Sequence, residues 1–134
     1  MKLVINTDGG ARGNPGPAGI GVVICSVDRK VIEKFGKYLG DNNTNNQAEY
    51  TAVIEALKAA KKLGGTHLEF LMDSELVVRQ LNHIYKVKNA ELQQLFLEIK
   101  NLQTGFSHVT FTHIPRAQNS AADKMVNEAI DTHK

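Results

Sequence analysis

Apolar and polar positions in this chain form two kinds of segment: short β-branched runs, concentrated early, and longer stretches of helical spacing that alternate with strands later. Leu3-Val4-Ile5 reads as a buried strand, ended by Gly9-Gly10. Residues 19–27 and 30–39 are further β-rich runs separated by Asp28-Arg29, a turn of hairpin length, so the first three strands form an antiparallel meander. Gly40-Asp41-Asn42-Asn43-Thr44-Asn45-Asn46 then breaks the pattern with turn and cap residues and opens a helix that runs to about residue 63. Val53, Ala56, Leu57 and Ala60 form its apolar stripe, and Thr51, Glu55, Lys58 and Lys62 its solvated face.

Gly64-Gly65 ends that helix, and residues 66–72 read as a strand that terminates in Asp73-Ser74-Glu75 and a short helix through Leu81. A strand, helix and strand in one sheet imply a right-handed crossover, which makes this strand parallel to the first. From Asn89 to about Gln103 a second amphipathic helix carries Leu92, Leu95, Phe96, Ile99 and Leu102. Val109-Thr110-Phe111-Thr112-His113 is the last strand. After a loop through Gln118, a final helix starts near Asn119 or Ser120 and packs Ala122, Met125, Val126, Ala129 and Ile130.

The bulk properties narrow this picture without deciding it. At 134 residues and 42% hydrophobic content the chain fits one domain, residues 1–134, with one core. The lone Cys25 sits in an apolar run, reads as a core residue and cannot form an internal disulfide, which suits a reducing, cytoplasmic setting. No apolar run is long enough to span a bilayer, and Lys2 is followed by a strand rather than a signal peptide. A net charge of +2 is too small to argue nucleic-acid binding by itself.

Candidate chemistry lies in four acids, each with an ordinary explanation. Asp8 is placed where the first strand ends, a common site for a turn former, and the glycine-rich loop after it lacks the Gly-Lys-Ser/Thr of a nucleotide-binding loop. Glu49 projects with the apolar stripe near a helix N-terminus, where either the helix dipole and an amide or a cation satisfies it. Asp73 reads as an N-cap, and Asp123 as a first-turn acid favoured by the helix dipole. His113, at a strand end, is commonly a structural hydrogen-bonder.

The inferred topology nevertheless brings all four acids to one edge of the sheet, where ligand sites of open α/β sheets gather. Like charges so close require a counterion, and an all-oxygen donor set selects Mg²⁺ or Mn²⁺ over zinc, for which the five histidines show no spacing. Carboxylates holding divalent metals point to phosphoryl transfer.

At these residues the chain resembles type 1 ribonuclease H, along essentially its whole length and in order. Thr7-Asp8-Gly9 with Gly13-Asn14-Pro15-Gly16-Pro17 is similar to that family's first motif. Thr44-Asn45-Asn46-Gln47-Ala48-Glu49 is similar to the second, Asp73-Ser74 to the third, and Asn119 with Asp123, preceded by His113, to the fourth.

The resemblance implies a three-layer α/β fold, a five-stranded mixed sheet of order 3-2-1-4-5 with helices on both faces. It implies an endoribonuclease that cuts the RNA strand of RNA–DNA hybrids with two Mg²⁺ ions, Mn²⁺ substituting, leaving 5′-phosphate and 3′-hydroxyl ends. Asp8, Glu49, Asp73 and Asp123 would be its metal-binding acids and His113 would assist proton transfer or product release. Asn14 and Asn45 would contact the hybrid's minor groove and Thr44 a DNA phosphate. Arg12, Arg116, Lys86 and Lys88 are the cations available for further phosphates. No obligate protein partner is implied, and the expected state is a monomer.

Three departures set a short form apart. Glu75 stands where many members place a substrate-touching glutamine, and Asn42 where some carry a phosphate-binding arginine. Only Asn82-His83-Ile84-Tyr85-Lys86-Val87-Lys88 remains where many bacterial members insert a helix and a basic protrusion. Two other readings stay open: a non-catalytic hybrid- or RNA-binding homologue, and a nuclease domain of reverse-transcriptase origin, although nothing in the chain resembles a polymerase.

Overall fold

Alternation in the first strands separates two faces of a sheet. In the computed structural model, which describes residues 1–133, β1 (Lys2–Ala11) and β2 (Gly16–Cys25) pair antiparallel, and β3 (Val31–Asn43) continues the meander on the far side of β2. Leu3, Ile5, Val22 and Ile24 point to one face and are fully buried there. Fully burying a side chain of this size stabilises by roughly 1.5–3 kcal/mol. Gly19 and Gly21, at alternating positions earlier in β2, open the opposite face.

α1 (Asn45–Lys62) crosses the first face. Its start is fixed by a capping box in which Thr44 Oγ1 accepts from the Gln47 N–H at 3.1 Å and Gln47 Oε1 accepts from the Thr44 N–H at 2.8 Å. The crossover returns to β4 (His67–Met72), parallel to β1 with Leu3 opposite Leu68 and Thr7 opposite Met72. α2 (Glu75–Leu81) and α3 (Ala90–Gln103) lead to β5 (His108–His113), parallel to β4. A short 3-10 turn, Arg116–Asn119, precedes α4 (Ser120–Thr132). The sheet order is β3-β2-β1-β4-β5, as the sequence led one to expect.

Residues of α1, α2 and α3 share the main core with Leu3, Ile5 and Phe70, whereas α4 lies against the glycine face of β2 and β3. Helices therefore cover both faces. Among the described residues no helix is long and apolar enough to cross a membrane.

Several local expectations need correction. β1 does not end at Gly9-Gly10 but runs to Ala11, because Gly9 and Gly10 pair with Ile20 and Gly19 of β2. Asp8 thus sits within a strand, one residue past the last parallel pair with β4. β2 begins at Gly16 and stops at Cys25, leaving Val27 outside it and exposed; Cys25 is half-buried at the strand's end rather than a core residue. β3 carries on through Asn43, since the turn-rich residues 40–43 still pair with the start of β2, at a register shift.

Candidate active site

Three elements deliver three carboxylates to one point. Asp8 comes from the middle of the sheet, where β1 leaves its parallel partner. Glu49 comes from the first turns of α1, which lies so close to β1 that a Cβ on Gly9 would stand 2.3 Å from the carbonyl carbon of Ala48. Asp73 follows the last residue of β4; the N-cap of α2 is its neighbour Ser74, so its carboxylate is not spent on the helix. One oxygen from each of Asp8, Glu49 and Asp73 lies within 4.8 Å of the others.

The cluster is electrostatically loaded. Burial, followed by the charge of Asp73 and the carboxyl of Asp123, lifts Asp8 from its ordinary 3.8 to about 7, although the Gly9 N–H donates to its Oδ1 at 2.9 Å. Burial, then Asp8 and Asp73, hold Glu49 well above the usual carboxylate range. Glu49 Oε2 is buried without a hydrogen-bond partner. The helix dipole and one amide therefore leave this group short of a partner, which a cation would supply. Hard oxygen donors at this spacing fit Mg²⁺ or Mn²⁺.

Asp123 stands in the first turn of α4, beside Asp8 but outside the group of three. It is brought there by Gly21, opposite Asp8 in β2, where a Cβ would lie 2.0 Å from the Ala122 carbonyl oxygen. All four acids line one cleft of about 370 Å³, together with Arg12, Asn45, Arg116 and Asn127.

The family described as Reverse transcriptase-like matches residues 6–129. The ribonuclease H1 of the archaeon Halobacterium salinarum has the same fold, with a TM-score of 0.95 and 40% identity over 98% of this chain and 99% of that one. The chain belongs to the ribonuclease H family. A second ribonuclease H1, LC11-RNase H1 solved in complex with an RNA/DNA hybrid, matches at a TM-score of 0.93 and 45% identity, covering 98% of each chain. The Bifunctional protein Rv2228c of Mycobacterium tuberculosis is 43% identical over 98% of this chain, which spans only 36% of that protein's length.

Within this ribonuclease H fold the remaining expected site residues fall at different distances from the acids. His113 closes β5 opposite Met72, one strand away from the approach to Asp73; it is exposed and does not line the cleft. Asn14 and Asn45 tie the β1–β2 loop to α1: Asn45 Oδ1 accepts from the Ala11 N–H at 2.8 Å, and Asn14 Oδ1 from the Asn45 N–H at 2.9 Å. Both amide oxygens are thereby fixed, and among the described residues no protein hydrogen bond uses either amide NH₂ group. Thr44 shares a second hollow, of about 230 Å³, with Asn14 and Asn89.

Arg116 reaches to 3.8 Å from Asp123 and is highly exposed. Glu75 pairs with Arg79 one turn along α2 at 3.3 Å, so part of the charge it adds is matched. Asn127 was not anticipated as a cleft residue. Its signal was present, four residues after Asp123 on the same helix face.

Proposed function

We propose that this chain is a metal-dependent endonuclease that hydrolyses the RNA strand of RNA–DNA hybrids, acting as a monomeric single domain of residues 1–134 in the cytoplasm. The observation that carries the reading is the group of three carboxylate oxygens within 4.8 Å, together with the buried, unpartnered Glu49 oxygen. A protein does not retain such a repulsive arrangement for stability, because unpaired buried carboxylates cost free energy. The resolved hybrid complex of the related LC11-RNase H1 supports the substrate class.

Asp8, Glu49 and Asp73 would hold the divalent ions, with Asp123 completing the set. Such ions, when bound, make water a stronger nucleophile and offset charge on the phosphate oxygens. The protein's own groups do the selecting. The free NH₂ groups of Asn14 and Asn45 point to donation toward minor-groove acceptors and the ribose 2′-hydroxyl, the group that marks the RNA strand. Thr44, in a hollow with Asn89, offers hydroxyl and amide donors to a phosphate of the uncut DNA strand. His113, exposed at the end of β5, would pass a proton at its imidazole as product leaves. The expected products carry 5′-phosphate and 3′-hydroxyl ends.

Incubating the purified protein with Mg²⁺ and end-labelled hybrid, duplex RNA, duplex DNA and single strands tests this. Cleavage confined to the RNA of the hybrid is the expected result. Binding without cutting in either Mg²⁺ or Mn²⁺ would instead identify a non-catalytic hybrid-binding homologue.

A further inference from the structure

The cleft continues beyond the carboxylates along α4, and its far end is built around Arg12. Asp123, Asn127 and Asp131 follow one another at intervals of four residues, so they share one face of the helix. Arg12, the first residue of the β1–β2 turn, is bound to the far end of this stripe: its Nη1 donates to Asp131 Oδ1 at 2.5 Å and its Nη2 reaches Asn127 Oδ1 at 3.5 Å. The backbone beneath it is also fixed, the Arg12 N–H donating to the Pro17 carbonyl at 2.8 Å. An exposed ion pair of this kind adds little to stability, and Arg12 remains 44% exposed while lining the same cleft as Asp8, Glu49 and Asp73.

A guanidinium carries five N–H donors in a fixed fork, so two contacts to α4 orient it without exhausting it. A cleft lined by four acids repels a polyanion, and a held cation at its end offsets that repulsion for a strand passing through. Eight residues of helix separate Asp123 from Asp131, about 12 Å. At about 3.4 Å of axial rise per nucleotide, that is three to four steps along a strand.

We propose that Arg12, positioned by Asp131 and Asn127, binds a phosphate of the strand that is cut, a few nucleotides from the scissile one. This subsite rests on the hybrid-nuclease reading above and names a contact within it.

The test uses a duplex with one short ribonucleotide stretch, which fixes the register of cutting, and single uncharged methylphosphonates placed along the flanking deoxy segments of the same strand. Binding is read in Ca²⁺ at several salt concentrations, and cleavage in Mg²⁺. Wild-type binding should weaken about three- to tenfold for a methylphosphonate at one position, the scale of one exposed charge-assisted contact. In Arg12→Ala that position alone should lose its effect, and the salt slope should fall by about one unit. Arg12→Lys should keep the slope and part of the affinity. Asp131→Ala should weaken binding at the same position although it removes a negative charge near a polyanion; tighter binding there would overturn the positioning of Arg12. Should Arg12→Ala keep the wild-type slope and every methylphosphonate response while hybrid is still cut, the phosphate contact is refuted and the nuclease reading stands. A wild-type chain that binds the duplex in this pattern but cuts nothing overturns the nuclease reading alone.

Discussion

A Cβ added to Gly9 would lie 2.5 Å from the backbone nitrogen of Glu49. The missing side chain is what lets the first turn of α1 rest on β1, and this contact sets the Glu49 carboxylate beside Asp8. Gly9→Ala should therefore push α1 outward, costing about 1–3 kcal/mol of overpacking or more, and should weaken Mg²⁺ binding and cleavage together. Gly10→Ala is the matched control, since its nearest neighbour is Val126 Cγ1 at 3.6 Å, an ordinary contact. Thermal melts and Mg²⁺ titration of both variants check this. Equal Mg²⁺ affinity in the two would show that the close approach does not place Glu49.

Asp8 offers a pH-dependent test. Its carboxyl is raised to about 7 in the folded protein, by burial first and then by Asp73 and Asp123, whereas in the unfolded chain it titrates near 4. Between those values the folded state holds a proton that the unfolded state has released, so the metal-free protein loses stability as pH rises from about 4 through 7, by a few kcal/mol in order of magnitude. Added Mg²⁺ should restore stability most strongly at the alkaline end, where the carboxylates are free to bind it. Asp8→Asn should flatten the stability curve, leave the fold intact and abolish cutting, as should Asp73→Asn. A metal-free Asp8→Asn protein with the wild-type pH slope would remove this account, and near-wild-type turnover of Asp73→Asn at saturating Mg²⁺ would remove the metal assignment.

What could be read from the sequence was set by what acts locally. Helical periodicity placed Leu57, Leu92, Ile99 and Val126 correctly in the core, and the parallel crossover correctly set β4 beside β1. Gly9, Gly10 and Gly40 misled the reading of strand ends, because a glycine that breaks a strand and one that admits a helix look alike in sequence. The contact that distinguishes them, Ala48 against Gly9 or Ala122 against Gly21, lies far along the chain. The same holds for Tyr50, whose hydroxyl donates to Gln80 at 2.6 Å inside the core, and for Asn119, whose amide donates to the Thr7 carbonyl at 2.9 Å. Such pairs carry no periodic signature. Glu49, Asp73 and Asp123 were legible because strand ends and helix starts are local signals. Asp8 was singled out by a strand end that is not there, since β1 runs on to Ala11, and it meets the others because it stands one residue past the last parallel pair with β4.

His113 separates proton handling from metal binding. It sits at the end of β5, opposite Met72, and lies outside the group of three carboxylates. His113→Ala should slow turnover by roughly a hundred- to ten-thousand-fold, the scale of a lost general acid–base group, while calorimetric Mg²⁺ binding stays as in the wild type. Loss of Mg²⁺ binding in that variant would make His113 part of the metal site instead.

The segment between α2 and α3 governs how much hybrid affinity remains without a basic protrusion. Its residues 82–88 form no helix and are exposed at Ile84 and Tyr85, with the Arg79 guanidinium 5.5 Å above the Tyr85 ring. Lys86 and Lys88 follow directly, both exposed and neither in an ion pair with the described residues. Asn42 supplies no charge, and Glu75 repels phosphate except where Arg79 matches it. Affinity should therefore be low and should limit activity through KM, improving when a basic helix and loop are grafted between Leu81 and Asn89. Each phosphate neutralised by lysine or arginine contributes about 0.9 to the slope of log affinity against log salt. Replacing Lys86 and Lys88 together by alanine should flatten that slope by up to about two units, measured by titrating labelled hybrid in Ca²⁺ so that no strand is cut. An unchanged slope in the double variant would mean that the duplex leaves the cleft over another part of the surface.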